Sequence, residues 1–328
     1  MPLSRALAAV IAVATLAFGA APAVAQNPWP ERRVLHMAHQ GGEFEFPSST
    51  MYAFRRAVAV GADMLELDVH ATADGRLAVI HDARVDRTTD GSGLVSETRW
   101  NRLRRLDAAY NFVPGRNAVA GLDPGAYPLR GVRTGDRKPP RGYHRRDFRV
   151  PSLGEVFRRF RHIPINIEIK GDSDSNPASF ERNAELLARF LNKRPRRAGD
   201  VIVVSFNDAA LARFRELAPG FSIAPGLDAV TVYFLALVPP PPGTVAIQIP
   251  VQFQGIPVAT REFVARAHAD GYAVHVFPDA GEENDALYES LLGNCVDGIM
   301  TAYPTRFERY LRDHDTVRPG RPGDDPCV

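Results

Sequence analysis

The sequence predicts an α/β fold in which eight parallel strands and their connecting helices close into a (β/α)8 barrel. Short runs of alternating or continuous apolar residues recur along the chain, and helical periodicity follows most of them. The eight predicted strands cover residues 34–39, 64–69, 163–169, 201–206, 222–227, 246–250, 273–277 and 297–301.

The first strand leads into His39 and a short loop, after which Ser48, Ser49 and Thr50 supply hydroxyls to cap a helix over residues 51–60. This strand–loop–helix order places His39 at the carboxyl end of the first strand. Catalytic groups of barrel enzymes lie at that end.

The second strand alternates, so that Glu66 and Asp68 share one face, and the Asp74-Gly75 turn then predicts a hairpin that ends in His81. Asp68 and His81 lie equally far from the turn and are predicted to be cross-strand neighbours. Two carboxylates suit a divalent cation, and a nearby histidine suits proton transfer. The alternative is a hairpin whose polar face is only solvated.

In the third strand, Glu168 and Lys170 share one side. The carboxyl halves of the first three strands would therefore gather three carboxylates, a lysine and His39, a set that is costly to bury without a counter-charge. Oxygen ligands favour Ca²⁺ or Mg²⁺ over zinc as that counter-charge. The alternative is that Glu168 and Lys170 simply pair with each other.

A divalent cation beside Lys170 and two histidines suits an anionic substrate, and a phosphodiester fits best. The cation and Lys170 would hold the phosphoryl oxygens. One of His39 and His81 would activate the nucleophile, and the other would protonate the leaving alcohol.

The chain begins with a predicted signal peptide, residues 1–25, in which a positive start and an apolar run precede an Ala23-Val24-Ala25 cleavage pattern. Cleavage after Ala25 would give a secreted, periplasmic or extracellular protein. Residues 26–310 are the predicted barrel domain, interrupted by an insertion at 83–150, and residues 311–328 are predicted to be a flexible tail. The arginines of the insertion form either a solvated surface or a face toward an anionic substrate or lipid surface.

Composition sets further bounds. The chain is 45% apolar, enough for a sizeable core, and its net charge of +2 makes no case for nucleic-acid binding. Export makes a disulfide between Cys295 and Cys327 possible, and the alternative is a buried Cys295 with a free tail thiol.

Motifs spread over residues 35–305 resemble, in order and spacing, those of the glycerophosphodiester phosphodiesterase family, secreted bacterial type. The matching residues are His39-Gln40-Gly41, Pro47-Ser48-Ser49-Thr50, Gly61-Ala62-Asp63, Glu66, Asp68-Val69, Thr72, Asp74-Gly75, Val79, His81-Asp82, Arg87-Thr88-Thr89, Gly91, Gly93, Ile167-Glu168-Ile169-Lys170, Ser205-Phe206, Val296-Asp297-Gly298-Ile299, Thr301 and Pro304.

The resemblance implies a TIM barrel with an inserted segment after strand 2 and hydrolysis of glycerophosphodiesters to sn-glycerol 3-phosphate and an alcohol. It also implies Ca²⁺ or Mg²⁺ held by Glu66, Asp68 and Glu168, with His39 and His81 as the acid–base pair.

Three positions depart from the family pattern: Gln40 replaces an arginine, Ser48 a glutamate, and Phe277 an aromatic that is usually tryptophan. Losing the arginine and the glutamate together leaves no orphan charge. We expect intact catalytic machinery with altered affinity or substrate, and Lys170, Gln40 and Phe277 as substrate-binding residues.

The substrate is expected to be a small or lipid-derived phosphodiester, and Glu43 and Glu45 are expected to favour a cationic headgroup. One alternative is phospholipase D-like action on lysophospholipids or sphingomyelin, with Phe44, Phe46 and Phe253 lining the mouth and a transient membrane contact. Another is a non-catalytic binding homologue.

Overall fold

The structure, a computed structural model, describes residues 27–325 and 327. It is built around a central sheet. The predicted signal peptide, residues 1–25, lies outside the described residues. The strands are β1 (Leu35–Ala38), β2 (Met64–Ala71), β3 (Leu77–Val79), β4 (Phe112–Val113), β5 (Asn117–Ala118), β6 (Ile165–Ile169), β7 (Val201–Val204), β8 (Ser222–Ile223), β9 (Ala246–Pro250), β10 (Gln252–Phe253), β11 (Ile256–Pro257), β12 (Ala273–Phe277) and β13 (Gly298–Thr301).

Helices connect most of the central strands. They are α1 (Met51–Val60), α2 (Trp100–Leu103), α3 (Leu153–Arg159), α4 (Pro177–Asn192), α5 (Asp208–Leu217), α6 (Leu227–Ala236), α7 (Arg261–Ala269), α8 (Asp285–Gly293) and α9 (Pro304–Asp313). Short 3-10 segments cover Pro30–Arg32, His39–Gly41, Pro124–Ala126, Arg145–Phe148, Pro195–Asp200 and Ala280–Glu282. In the described part of the chain, no helix combines the length and apolarity that crossing a bilayer requires.

The eight predicted strands form the barrel, which confirms the predicted fold class. Their order around the sheet is β8-β7-β6-β2-β1-β13-β12-β9, and all of these neighbours are parallel. The ring closes where Ile223 donates to Gly243 O and Val245 donates to Ile223 O, both at 3.0 Å. The fifth strand is shorter than predicted because Pro225 has no N–H and Gly226 begins α6.

The core lies mainly between the sheet and the helices, where alternate strand residues meet the apolar faces of the helices. Leu187 and Leu191 of α4 are fully buried there, beside Ile167 of β6. Local signals set the helix boundaries: Thr50 caps α1 by accepting from Ala53 N, and Gly61 ends the helix at a φ of +125°.

The hairpin of β2 and β3 differs from the prediction by one residue. Val69 pairs with Val79, so Asp68 faces Ile80 and not His81. The predicted pairing is wrong because the turn has three residues, 73–75. A hydrogen bond from Thr72 N to Arg76 O closes it, with Gly75 at a positive φ. His81 therefore follows the end of β3 instead of pairing with β2.

Residues 83–150, expected as an insertion, contain α2, β4, β5 and two of the 3-10 segments. This segment packs against α1: Phe148 is buried and stacks on Tyr52 at 4.7 Å, and Arg55 pairs with Asp147 at 2.7 Å. The segment therefore contains secondary structure of its own and is packed on the barrel.

The C-terminal tail is bound to the barrel, so the expectation of a flexible tail is wrong for its described residues. Arg318 is only 5% exposed and contacts Asp63 Oδ2 at 2.8 Å and Glu308 Oε2 at 2.5 Å. Val34 N also donates to Val317 O. The polar composition of the tail suggested solvation, but Arg318 finds its counter-charges in Glu308 of α9 and in Asp63, which is 255 residues away along the chain.

Cys295 and Cys327 form a disulfide with their Cα atoms 5.6 Å apart. Of the two alternatives that the sequence left open, the bridge is the one present. It ties the end of the chain to the loop before β13.

Arg318→Ala should lower the free energy of unfolding by about 3–5 kcal/mol, because it removes the shared cation of two carboxylates at a buried site. Arg321→Ala is the matched control: its side chain is 58% exposed and lies 3.9 Å from Glu308. The control substitution should lower the free energy of unfolding by less than about 1 kcal/mol. Urea unfolding with the disulfide intact measures both, and equal values would contradict a buried ion network at Arg318.

Candidate active site

A cavity of about 700 Å³ lies at the carboxyl ends of the barrel strands. Six of the predicted site residues line it: His39, Glu66, His81, Glu168, Lys170 and Phe277. Asp68 lies beside them at 1% exposure, with Lys170 Nζ 3.4 Å from its Oδ1. The barrel thus brings together residues that are far apart in sequence.

The three predicted metal ligands form one acidic cluster. The register of β2 and β6 pairs Asp68 with Glu168, and one oxygen each from Glu66, Asp68 and Glu168 lies within 4.8 Å of the others. Both carboxylate oxygens of Asp68 are buried without a hydrogen-bond donor among the described residues. A buried, donor-poor set of carboxylate oxygens fits a hard divalent cation.

The electrostatics of this cluster are unbalanced. Burial, reinforced by Asp68, raises the pKa of Glu66 to about 8, and burial also raises the pKa of Glu168. Burial opposes the ionisation of Asp68, but Lys170 and the nearby histidines outweigh it and hold its pKa below the usual value. Lys170 donates to Glu168 Oε1 at 2.8 Å, and despite burial the carboxylates raise its pKa further. One ammonium group faces three acids, so a further cation would be stabilised here.

His39 is held by the carboxylate of Glu43, a residue that was expected instead to favour a cationic headgroup. Its Nδ1 lies 2.5 Å from Glu43 Oε1, and its Nε2 lies 3.9 Å from Glu66 Oε2. Burial opposes protonation of His39, but Glu43 and Glu66 outweigh it and raise its pKa to about 10. Glu43 therefore serves His39, while Glu45 accepts from the N–H groups of Thr305 and Arg306 at the start of α9. Neither residue lines the cavity, and their effect on a cationic headgroup stays a prediction.

His81 has a similar arrangement. Its Nδ1 lies 2.7 Å from Asp82 Oδ1, and Arg87 grips the same carboxylate with bonds of 2.6 and 2.8 Å. Although burial opposes ionisation, Arg87 and His81 hold the pKa of Asp82 well below its usual range. His70 Nε2 donates to His81 O at 3.0 Å and supports the backbone. Both histidines thus have a carboxylate on Nδ1, which leaves Nε2 for proton transfer.

Gln40 and Ser48, two of the departures from the family pattern, touch each other. Ser48 Oγ donates to Gln40 Oε1 at 2.7 Å, and Gln40 N donates to Glu66 Oε2 at 2.8 Å. The Gln40 side chain is buried and is not among the residues that line the cavity. Its contact with substrate stays a prediction. Phe277 lines the cavity and packs edge-to-face on Phe206 at 6.0 Å.

An apolar wall faces the charged floor of the cavity. Its side chains come mainly from α6 and the β10–β11 hairpin, and they include Leu227, Val230, Phe234, Leu235, Phe253 and Ile256. Of the three aromatics expected at the mouth, only Phe253 lines the cavity: Phe44 packs on Tyr303 at 5.3 Å, and Phe46 is buried.

Known proteins share both the motifs and the fold. Residues 39–306 match the model of the glycerophosphoryl diester phosphodiesterase family. The chain belongs to this family. The resemblance noted in the sequence is therefore confirmed, and with it the class of phosphoric diester hydrolase.

A glycerophosphodiester phosphodiesterase of Bacillus altitudinis is 31% identical over 276 residues, which cover 82% of this chain and 94% of that protein. A lysophospholipase D of Rattus norvegicus is 26% identical over 85% of this chain and 86% of its own length. A solved Oleispira antarctica phosphodiesterase, in complex with the product sn-glycerol-3-phosphate, is 20% identical with a TM-score of 0.62, over 87% of this chain and 99% of that one. This structural likeness supports the barrel fold.

Members of the family generally depend on a divalent metal, and the acidic cluster of this chain fits one. The positioning carboxylates Glu43 and Asp82 were not predicted. Asp82 had a usable signal, since it follows His81 directly. Glu43 reaches His39 through a tight loop in which Gly41 and Gly42 have φ values of +82° and +90°, and sequence spacing gives no sign of that reach.

Glu43→Gln should lower the pKa of His39, because it removes the strongest of the charges that favour the imidazolium. In the metal-free protein, NMR titration should find wild-type His39 protonated at pH 8–9, while the variant loses its proton at lower pH. Glu45→Gln, in the same loop, should leave the titration unchanged. An unaltered His39 pKa in Glu43→Gln would show that the 2.5 Å contact does not control the ring.

Proposed function

We propose that the protein is an exported, divalent-metal-dependent phosphodiesterase that hydrolyses glycerophosphodiesters to sn-glycerol 3-phosphate and an alcohol. The observation that carries this proposal is one cavity in which two carboxylate-held histidines flank three acids and a lysine. The names and bound product of the relatives support it. Export rests on the predicted signal peptide and agrees with a disulfide-bonded chain.

Glu66, Asp68 and Glu168 are the proposed ligands of Ca²⁺ or Mg²⁺, the cations that carboxylate oxygens favour. When bound, such a cation supplies positive charge that stabilises the phosphoryl oxygens in the transition state. Gln40 assists the site through its backbone N–H, which fixes Glu66 Oε2. Lys170 places its ammonium group at the same floor and donates to a phosphoryl oxygen.

His39 and His81 perform the proton transfers. Water attacks phosphorus as one imidazole accepts its proton, and the phosphorus–oxygen bond to the alcohol breaks as the other imidazolium protonates the departing oxygen. Glu43 and Asp82 keep each ring oriented through Nδ1. The intact acid–base pair favours an enzyme over a non-catalytic binding homologue.

A lysophospholipid is the second candidate substrate, and the apolar wall of the cavity favours it. Cleavage would break the same phosphorus–oxygen bond, and the retained glycerol would carry an acyl chain. The rat relative named lysophospholipase D supports this alternative.

Chelation should abolish the release of choline from glycerophosphocholine, and adding Ca²⁺ or Mg²⁺ should restore it, because three carboxyl groups that can ionise around a cation converge at the floor of the cavity. sn-Glycerol 3-phosphate should appear in equal amount. Calorimetric titration should find weaker metal binding in Asp68→Asn, which keeps the shape of the side chain and removes its charge. Full activity after exhaustive chelation would contradict the metal site, and choline release from lysophosphatidylcholine alone would favour the second candidate.

His39→Ala and His81→Ala should each lower kcat by roughly 10²-fold or more, the usual range for lost acid–base catalysis. Metal binding, measured by calorimetry, should survive in both variants. His162→Ala is the control, since His162 is exposed and lies outside the cavity. A variant of His39 or His81 with wild-type kcat would show that its ring takes no part in proton transfer.

A further inference from the structure

One stretch of the chain is unusual in composition. Residues 229–260 contain no Asp, Glu, Lys, Arg or His, although 24% of the whole chain is Asp, Glu, Lys or Arg. The stretch includes nearly all of α6, the loop after it, β9 and the β10–β11 hairpin. Apart from β9, these elements lie at the rim of the barrel and not in its core.

Apart from Asp228 in its first turn and Thr231, the helix α6 is apolar on both of its faces. Tyr233 is buried against Phe263 at 6.0 Å, with Val230 and Phe234 packed on the same core. The opposite face would be polar in an ordinary surface helix. Here it carries apolar side chains, which continue into the following loop and the hairpin. The exposed residues are Val232, Leu235, Leu237, Val238, Phe253 and Ile256, hereafter the apolar rim, and they are 42–74% exposed.

The apolar rim is continuous with the candidate active site. Leu235, Phe253 and Ile256 line the cavity and are also exposed outside it, while Phe234 faces the cavity from the same helix. An apolar path therefore runs from the outer surface to the charged floor. The apolar path would accommodate an acyl chain, and the charged floor would accommodate a phosphodiester headgroup.

We propose that the apolar rim docks on a lipid–water interface, from which the acyl chain of a lysophospholipid enters the cavity along α6. The substrate part of this proposal rests on the second candidate of the proposed function. A second copy of the chain or a protein partner on this rim would cover the mouth of the cavity. A lipid surface instead delivers substrate through it. With ten residues, α6 lies on such a surface and does not cross it.

The absence of charged side chains from the apolar rim also indicates which lipid composition it would bind. An exposed apolar patch without charge gains free energy by leaving water and does not need anionic lipid. Docking should therefore occur on zwitterionic phosphatidylcholine vesicles and should persist at high salt, in contrast to binding through a basic patch.

Val232→Glu combined with Leu237→Glu tests the docking, because neither residue lines the cavity. Flotation with phosphatidylcholine vesicles should show vesicle-bound wild type and a reduction of about tenfold or more in the variant, since two apolar groups are lost and two charges would have to be desolvated. Ala286→Glu with Ser290→Glu, on exposed positions of α8, adds the same charge and should float like wild type.

Activity provides the second measurement. The Val232→Glu, Leu237→Glu variant should hydrolyse water-soluble glycerophosphocholine at the wild-type rate and lose activity on lysophosphatidylcholine presented in vesicles. Wild type that does not float, a variant that floats like wild type, or a wild-type dimer that the variant abolishes would each overturn the docking. Wild type that floats through the rim but hydrolyses neither substrate would support the docking and overturn the proposed function.

Discussion

The concentration of negative charge at the carboxyl ends of β2 and β6 is the constraint on which the rest of the site depends. Glu66, Asp68 and Glu168 converge in a buried place, where Lys170 contacts Asp68 and Glu168 and His39 lies 3.9 Å from Glu66. Such a group is stable only if the surrounding fold holds it there. The parallel register that pairs Asp68 with Glu168 is set by apolar residues on the other faces of the strands. Burial of these apolar residues thus stabilises a site whose like charges repel one another and would favour a bound cation.

The two histidines follow the same electrostatic logic. Glu43 holds His39 and Asp82 holds His81, so that each ring has an orientation fixed by a charge on its Nδ1 side. Arg87 in turn neutralises the charge of Asp82, so that this carboxylate would not compete with Glu66, Asp68 and Glu168 for a bound cation. The carboxylates of the site therefore form two groups. Three could hold a cation, and the other two, Glu43 and Asp82, each contact a histidine ring. The side chains that they contact distinguish the two groups.

Strand alternation was enough to predict the barrel and to assign Glu66, Asp68, Glu168 and Lys170 to one face, because a strand has a fixed period of two. It did not predict the register of the β2–β3 hairpin, since a single extra turn residue shifts every pair. The partner of His39 depends on the path of a glycine-containing loop, and the burial of Arg318 depends in part on Asp63, a carboxylate distant in sequence. Neither has a local signal. The sequence therefore indicated the acids, the lysine and the two histidines that meet at the site, but not the carboxylates that hold the histidines or the register of the hairpin.

The pair of Gln40 and Ser48 lies next to the floor of the cavity, since the backbone N–H of Gln40 donates to Glu66 Oε2. These positions touch, so a charged pair expected from the family is replaced here by a neutral hydrogen bond of 2.7 Å that leaves no unpaired charge. The replacement also removes the guanidinium that the family pattern leads us to expect at this position. Binding would then depend more on Lys170 and on what the second half of the barrel contributes. That half contributes an apolar wall from α6 and the β10–β11 hairpin, which lines the cavity and would contact a substrate there without taking part in the proposed proton transfers. Because the floor and the wall come from different strands and loops, changes in the wall could alter the choice of substrate while the histidines that follow β1 and β3 and the carboxylates of β2 and β6 stay in place.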